Sequence, residues 1–159
     1  MKPDADLDPA DLAEIDDFCD ALWLEDGLAK SSLSSYRSDL LHLARWLKKQ
    51  AAGCLLTVSE AELTRFVAQL SLSMRATSQA RYLSTFRRFF RHLLARGRIK
   101  SDPTLKIAMP AKPSRLPKGM SEKQVEALLA APADDTPLGQ RDRAMLETLY
   151  ATGLRVSEL

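Results

Sequence analysis

The chain has 159 residues, of which 45% are hydrophobic and 28% charged, and its formal net charge is +2; that is enough for one core-bearing domain, or one and a half. Its N-terminus, MKPDADLDPADL, is acidic and lacks the apolar stretch of a secretory signal, and no apolar run approaches the roughly 20 residues of a membrane span. Cys19 and Cys54 lack CxxC spacing and have only His42 and His92 beside them, so no compact zinc set forms and neither metal nor cofactor is expected. The expected compartment is a reducing cytoplasm, with no membrane partner.

The small net charge hides an asymmetry. Residues 1–26 carry one lysine against ten acids, residues 27–118 carry eighteen lysines and arginines against four acids, and residues 119–159 carry four basic residues against seven acids. A basic middle block favours a polyanionic partner, because each phosphate contact made by Lys or Arg releases counterions. A solvated basic surface is the alternative.

Asp8-Pro9 opens the first expected helix, with an acceptor at the N-cap and a proline where a missing N–H costs nothing. Leu12, Ile15, Phe18, Leu22 and Trp23 recur at three- and four-residue steps up to the stop at Gly27, and the other face is acidic. That acidic face has no assigned role: a neighbouring subunit and plain solvation both fit it. A second helix starts near Ser31 or Ser32, turning Leu33, Tyr36, Leu40, Leu43 and Leu47 inward and Ser34, Arg37, Arg45 and Lys48 outward, and ends near Gly53. The third begins at a capping box, Ser59-Glu60-Ala61-Glu62, and continues with Leu63, Phe66, Val67 and Leu70.

The fourth stretch, TSQARYLSTFRRFFRHLLARG, divides sharply at about 100° per residue. Tyr82, Phe86, Phe89, Phe90, Leu93 and Leu94 share one side; Arg81, Ser84, Thr85, Arg88, Arg91 and His92 share the other. A helix with a buried aromatic face and a basic outer face suits a DNA major groove. A solubilising arginine surface is the other reading. It is disfavoured by the scarcity of acids, since residues 75–118 hold twelve basic residues and only Asp102 to oppose them. His92 reads as a face residue rather than a ligand.

Residues 98–118 carry Pro103, Pro110, Pro113 and Pro117 without helical periodicity and read as a semi-stiff linker. Lys106, Lys112, Arg115 and Lys118 equip it to follow a phosphate backbone, although a plain spacer fits equally. A second capping box, Ser121-Glu122-Lys123-Gln124, opens a new apolar stripe at Val125, Leu128 and Leu129. Pro132 and Pro137 bracket a turn. The next helix turns Met145, Leu146, Leu149 and Tyr150 inward and stops at Gly153. Arg155 then falls near the start of another helix, where an anion is favoured and a guanidinium donates two bonds to phosphate oxygens; pairing with Glu158, three residues on, is the plain alternative.

The succession LAKSSLSSYRSDL, ATSQARYLSTFRRFFRHLL, RLPKGMSEKQVEALLAAP and RDRAMLETLYATGLRVSEL resembles the tyrosine recombinases of the phage integrase family over essentially the whole chain. The resemblance implies an all-α protein: a four-helix SAM-like core-binding domain over residues 1–105, a Pro-rich linker over 106–118, and over 119–159 the first helices of a truncated, mainly-α catalytic domain. It implies double-stranded DNA as partner, with a second recombinase of the same type and like subunits in a tetramer on DNA. TGLRVSEL matches the family's first catalytic-arginine motif, which makes Arg155 the expected ligand of the scissile phosphate. The family pattern also implies Ser34, Arg37, Arg81 and Arg88 as DNA contacts. The implied reaction is metal-free cutting and rejoining through a 3′-phosphotyrosyl intermediate, as in chromosome dimer resolution.

The family's catalytic lysine, its histidine and second-arginine motif and its nucleophilic tyrosine all follow the TGLRVSEL motif. Tyr36, Tyr82 and Tyr150 fall on expected core faces, so this chain alone is expected to bind DNA without cleaving it. The other readings are a stand-alone helical DNA-binding module and a helical protein-interaction domain.

Overall fold

The computed structural model describes residues 7–111 and 119–159. Six α-helices account for the regular structure among them: α1 (Pro9–Asp26), α2 (Lys30–Lys49), α3 (Glu60–Ser73), α4 (Ala76–Ala95), α5 (Glu122–Leu129) and α6 (Pro137–Thr152), followed by a short 3-10 turn at Val156–Glu158. No described residue is in a strand. The chain divides into two compact units, Met1–Pro113 and Ser114–Leu159.

Local chemistry sets the helix ends. The Asp8 side chain accepts from the Ala10 N–H at 2.9 Å and Pro9 takes the first helical position of α1. At the other end Gly27 adopts the left-handed conformation (φ 61°); its N–H donates to the Trp23 carbonyl and the Leu28 N–H to the Leu22 carbonyl, and that turn favours a residue without Cβ. The α3 capping box is reciprocal: Ser59 Oγ accepts from the Glu62 N–H, and the Glu62 carboxylate accepts from the Ser59 N–H at 2.8 Å. The Ser59 N–H and the Ser59 hydroxyl, each 2.8 Å from Glu62 Oε2, both donate to the charged carboxylate, so Glu62 is held below the usual carboxylate range. α2 begins at Lys30, with Ala29 as N-cap and no side-chain cap, slightly ahead of the serines expected to open it.

The core of the first unit is aromatic at its centre. Phe18 of α1 meets Phe89 of α4 edge-on at 5.3 Å, Phe89 meets Phe90 at 5.3 Å, and Phe66 of α3 meets Phe86 at 5.8 Å. Leu40, Leu43 and Leu47 of α2 and Leu63 of α3 are fully buried around them. The α2–α3 connection adds Leu55 and Val58, and the segment after α4 adds Ile107. Burial of one such side chain contributes roughly 1.5–3 kcal/mol. Two stripe residues lie outside this core: Trp23 is 59% exposed and Leu94 is 40% exposed. Both occupy the margins of their stripes.

The acidic helix α1 is not simply solvated. Asp11 and Glu14 are buried. Asp11 accepts the backbone N–H of Leu55 at 2.8 Å, tying α1 to the α2–α3 connection, and its burial pushes its carboxyl above the usual range despite that bond. The segment expected to begin the linker is likewise engaged with the first unit, since Lys106 pairs with Glu60 at 3.2 Å and the Ile107 carbonyl accepts from Arg87 at 2.7 Å. Lys112, Arg115 and Lys118 lie outside the described residues.

In the second unit, Ser121 and Gln124 form the expected capping box of α5, Thr136 caps α6, and Gly153 ends it in the left-handed conformation. Gly139 packs so closely on the Ala133 carbonyl that a Cβ there would lie 1.8 Å from the oxygen. The expected inward face of α6 is a correction: Met145 is 39% exposed and Tyr150 is 69% exposed. α5, with 8 residues, is too short to cover the apolar side of α6, with 16.

Candidate nucleic-acid interface

The four side chains singled out on the first unit belong to α2 and α4, which pack against one another. Ser34 and Arg81 come together. They line one shallow depression with Ser35, Ser38, Asp39 and Tyr82, and Arg81 also borders an adjoining depression with Ser32, Tyr36 and Ser84. Arg88 lies two turns further along α4, where it donates to the Tyr36 hydroxyl at 3.2 Å with its guanidinium carbon 5.6 Å from that ring's centre. Arg37 is carried by the α1-facing side of α2, where it pairs with Asp16. Ser34 and Arg81 therefore share a depression, while Arg37 and Arg88 each pair with a carboxylate of α1.

The division of α4 holds apart from the exposed Leu94 and one residue of the outer side. Phe86, Phe89, Phe90 and Leu93 are fully buried, while Arg81, Ser84 and Arg91 are exposed. Thr85, expected on the outer face, is buried at 3% and donates its hydroxyl to Asp39 at 2.9 Å. It sits at the seam between the two faces, where α2 covers it.

The electrostatic expectation for this face is overturned. The scarcity of acids within residues 75–118 implied few partners for the arginines, yet most find one on α1 or α2. Arg88 pairs with Asp26 at 2.6 Å, Arg96 with Asp17 at 2.7 Å, Arg98 with Glu14, and Arg81 with Asp39 at 2.5 Å. His92 packs on the Phe18 ring and contacts Asp17 at 3.2 Å. The partners lie 42 to 84 residues away in sequence, which a local window cannot register. Burial raises the pKa of Asp17, but its contacts with His92 and Arg96 prevail and hold its carboxyl below the usual range. These pairs differ in one respect. Asp16 and Asp26 keep 57% and 44% of their side chains exposed, whereas Asp39 keeps 2%.

A second polar cluster escaped the sequence reading. His42 Nδ1 lies 3.1 Å from the Tyr82 hydroxyl, and its ring meets Phe66 edge-on at 5.3 Å. Burial, then the nearby charge of Arg45, pushes the imidazole below its ordinary value against the pull of Asp39. The signal was present as a histidine on the inner margin of a helix otherwise read as aliphatic.

On the second unit, Arg155 caps the 3-10 turn. Its backbone N–H donates to Glu158 Oε2 at 2.8 Å and its Nη1 to Glu158 Oε1 at 2.7 Å, with the side chain 81% exposed. Among the described residues no group of three His, Cys, Asp or Glu side chains is arranged to hold a metal, and no helix is long and apolar enough to cross a membrane.

Comparison with known proteins bears on this surface. The family model described as the phage integrase N-terminal SAM-like domain matches residues 15–97, and that of the phage integrase family matches residues 118–159. The chain is 49% identical over 146 residues to tyrosine recombinase XerD of Proteus mirabilis, covering 91% of this chain and 46% of that protein. It is 50% identical over 146 residues to the XerD of Yersinia pestis, covering 91% and 48% of the two chains. The match to the XerD of Ralstonia nicotianae is 44% over 153 residues, covering 96% and 49%. The chain spans about half the length of the curated relatives it matches.

Proposed function

Because the chain belongs to the phage integrase family of tyrosine recombinases, we propose that residues 1–105 form the half of a recombinase that grips duplex DNA, with α2 and α4 presented to the major groove. The observation that carries this reading is the two-sided α4. Its phenylalanines are buried in the core while Arg81, Ser84, Arg88 and Arg91 line the opposite side, with Ser34 of α2 alongside Arg81. Arginine reaches guanine edges and phosphates alike, and serine hydroxyls reach either. Arg37, on the α1-facing side, contacts the flanking backbone.

In the second unit Arg155 binds the scissile phosphate. Its planar fork donates two bonds to phosphate oxygens, and its permanent charge offsets the charge that builds on them in the transition state. It exchanges Glu158 for that phosphate; the Glu158 pair is exposed and therefore weak. The whole protein recombines DNA at a specific site: a tyrosine attacks a phosphodiester and forms a 3′-phosphotyrosyl bond, releasing a DNA hydroxyl, and a second DNA hydroxyl reverses the step. Storing the bond covalently removes any need for ATP. In this reading the whole protein works with a second Xer-type recombinase and like subunits in a tetramer on DNA, in chromosome dimer resolution in the cytoplasm. The 159-residue chain by itself binds and does not cut.

Titrating labelled duplex DNA with the chain over a salt series tests the reading. Binding weakens steeply as salt rises, and the combined substitution Arg81→Ala plus Arg88→Ala removes most of it. Salt-independent binding, or a folded double variant that binds as the parent does, sinks it. A denaturing gel of the same mixtures shows no covalent protein–DNA band; a band lost on Tyr150→Phe would assign cleavage to the exposed Tyr150.

A further inference from the structure

We propose that Asp39 is a positioning residue that makes Arg81 a reader of base edges, guanine foremost, rather than a phosphate clamp. The inference rests on the proposed DNA-binding role of α4 and separates Arg81 from the other arginines assigned to it.

The Asp39 side chain is 2% exposed, set between α2 and α4. A buried carboxylate has to be compensated where it stands, and both compensating groups converge on one oxygen: Oδ2 accepts from Arg81 Nη1 at 2.5 Å and from Thr85 Oγ1 at 2.9 Å. Thr85 is itself buried, so the carboxylate has no room to swing away. The guanidinium is held from a second direction by the Tyr82 ring, whose centre lies 4.8 Å from Cζ. Half of the Arg81 side chain, 51%, remains open to solvent over the depression lined by Ser34, Ser35 and Ser38.

This arrangement has an electrostatic consequence. Counterion release rewards positive charge delivered to phosphate, and the charge of Arg81 is already balanced by a carboxylate that cannot leave. Its remaining N–H groups still donate, and their direction is fixed. Two donors of one planar guanidinium match the O6 and N7 acceptors of guanine, where the reward is geometric rather than ionic. Arg37 and Arg88 differ because their acids are partly exposed and exchangeable. They suit phosphates; Arg81 suits a base.

The test selects bound duplexes from a pool carrying a randomised stretch, using the parent chain, Asp39→Asn, Arg81→Ala and Arg81→Lys. Asparagine keeps an acceptor for Thr85 and removes the charge. The parent enriches guanine at one or more positions, and all three variants lose that preference by about tenfold or more. On one duplex of fixed sequence, Asp39→Asn steepens the log–log salt dependence by about one, because the released guanidinium charge turns to phosphate, and Arg81→Ala does not. A merely structural Asp39 would weaken binding equally with and without Arg81, so Asp39→Asn is also measured in the Arg81→Ala background, where it should have no further effect. A folded Asp39→Asn chain that keeps the guanine preference overturns the proposal, as does a parent chain that selects no base. Should Asp39→Asn fail to fold, Arg81→Lys decides, since it keeps the charge and loses the fork. If Arg81→Ala matches the parent in both affinity and selected sequence, the DNA-binding assignment of Arg81 beneath the proposal falls instead.

Discussion

Replacing Asp26 by asparagine should tighten DNA binding. Arg88 Nη2 is 2.6 Å from Asp26 Oδ2, and the two side chains are 36% and 44% exposed, so the pair is solvent-screened. A pair of that kind contributes about 0.2–1 kcal/mol, and a phosphate that recruits Arg88 has to displace it. Asp26→Asn removes that competitor and leaves Arg88 supported by the Tyr36 hydroxyl. The dissociation constant should fall by a factor of about 1.4 to 5, from that same energy. The Arg37–Asp16 pair is of the same exposed kind, so Asp16→Asn should behave similarly, and the double variant should gain up to about 2 kcal/mol if the two sites act independently. The assay is fluorescence anisotropy of a labelled duplex at several salt concentrations, with thermal unfolding run alongside. Asp20→Asn is the control, because it changes net charge equally from an exposed position on the same helix. Unchanged or weaker binding by a folded Asp26→Asn chain, or an equal gain from Asp20→Asn, would refute competition between α1 and DNA for Arg88.

Two further outcomes follow from the core. Phe89 is fully buried against Phe18 and Phe90, so Phe89→Ala should cost about 3–5 kcal/mol in urea unfolding; a loss under about 1 kcal/mol would mean that the site collapses around the missing ring. His42 sits below its ordinary value in the folded chain, with burial the leading cause, so the unfolded chain binds its proton more readily. Its contribution is complete above the ordinary value of about 6.5 and is lost as pH falls below it. The thermal midpoint should decline between about pH 7 and pH 5, and His42→Gln should flatten that decline; parallel slopes for parent and variant would exclude His42 as the cause.

How much of this molecule was legible depends on the range of the interaction concerned. Helix starts and stops rest on contacts within a few residues: Asp8 with Ala10, Ser59 with Glu62, Ser121 with Gln124, and the left-handed turns at Gly27 and Gly153. The aromatic stripe of α4 was equally plain, since a helix repeats its faces every three to four positions whatever packs on it. The motif around Arg155 lies in one continuous stretch.

Partnership was decided by tertiary structure alone. Residues 75–118 contain a single acid, and from that window the arginines of α4 read as unpaired. Folding brings α1 and α2 beside them and supplies Asp26, Asp17, Glu14 and Asp39 from 42 to 84 residues away. Helix periodicity could rank Asp39 and Asp26 only as polar positions on their own helices. Packing left one nearly sealed beside Thr85 and the other open to water, and on that difference rests the proposed separation of a fixed reader of bases from an exchangeable contact to phosphate. The same dependence on neighbours exposes Met145 and Tyr150, whose stripe was evident in the sequence. A stripe is a property of one helix, and burial a property of at least two that meet.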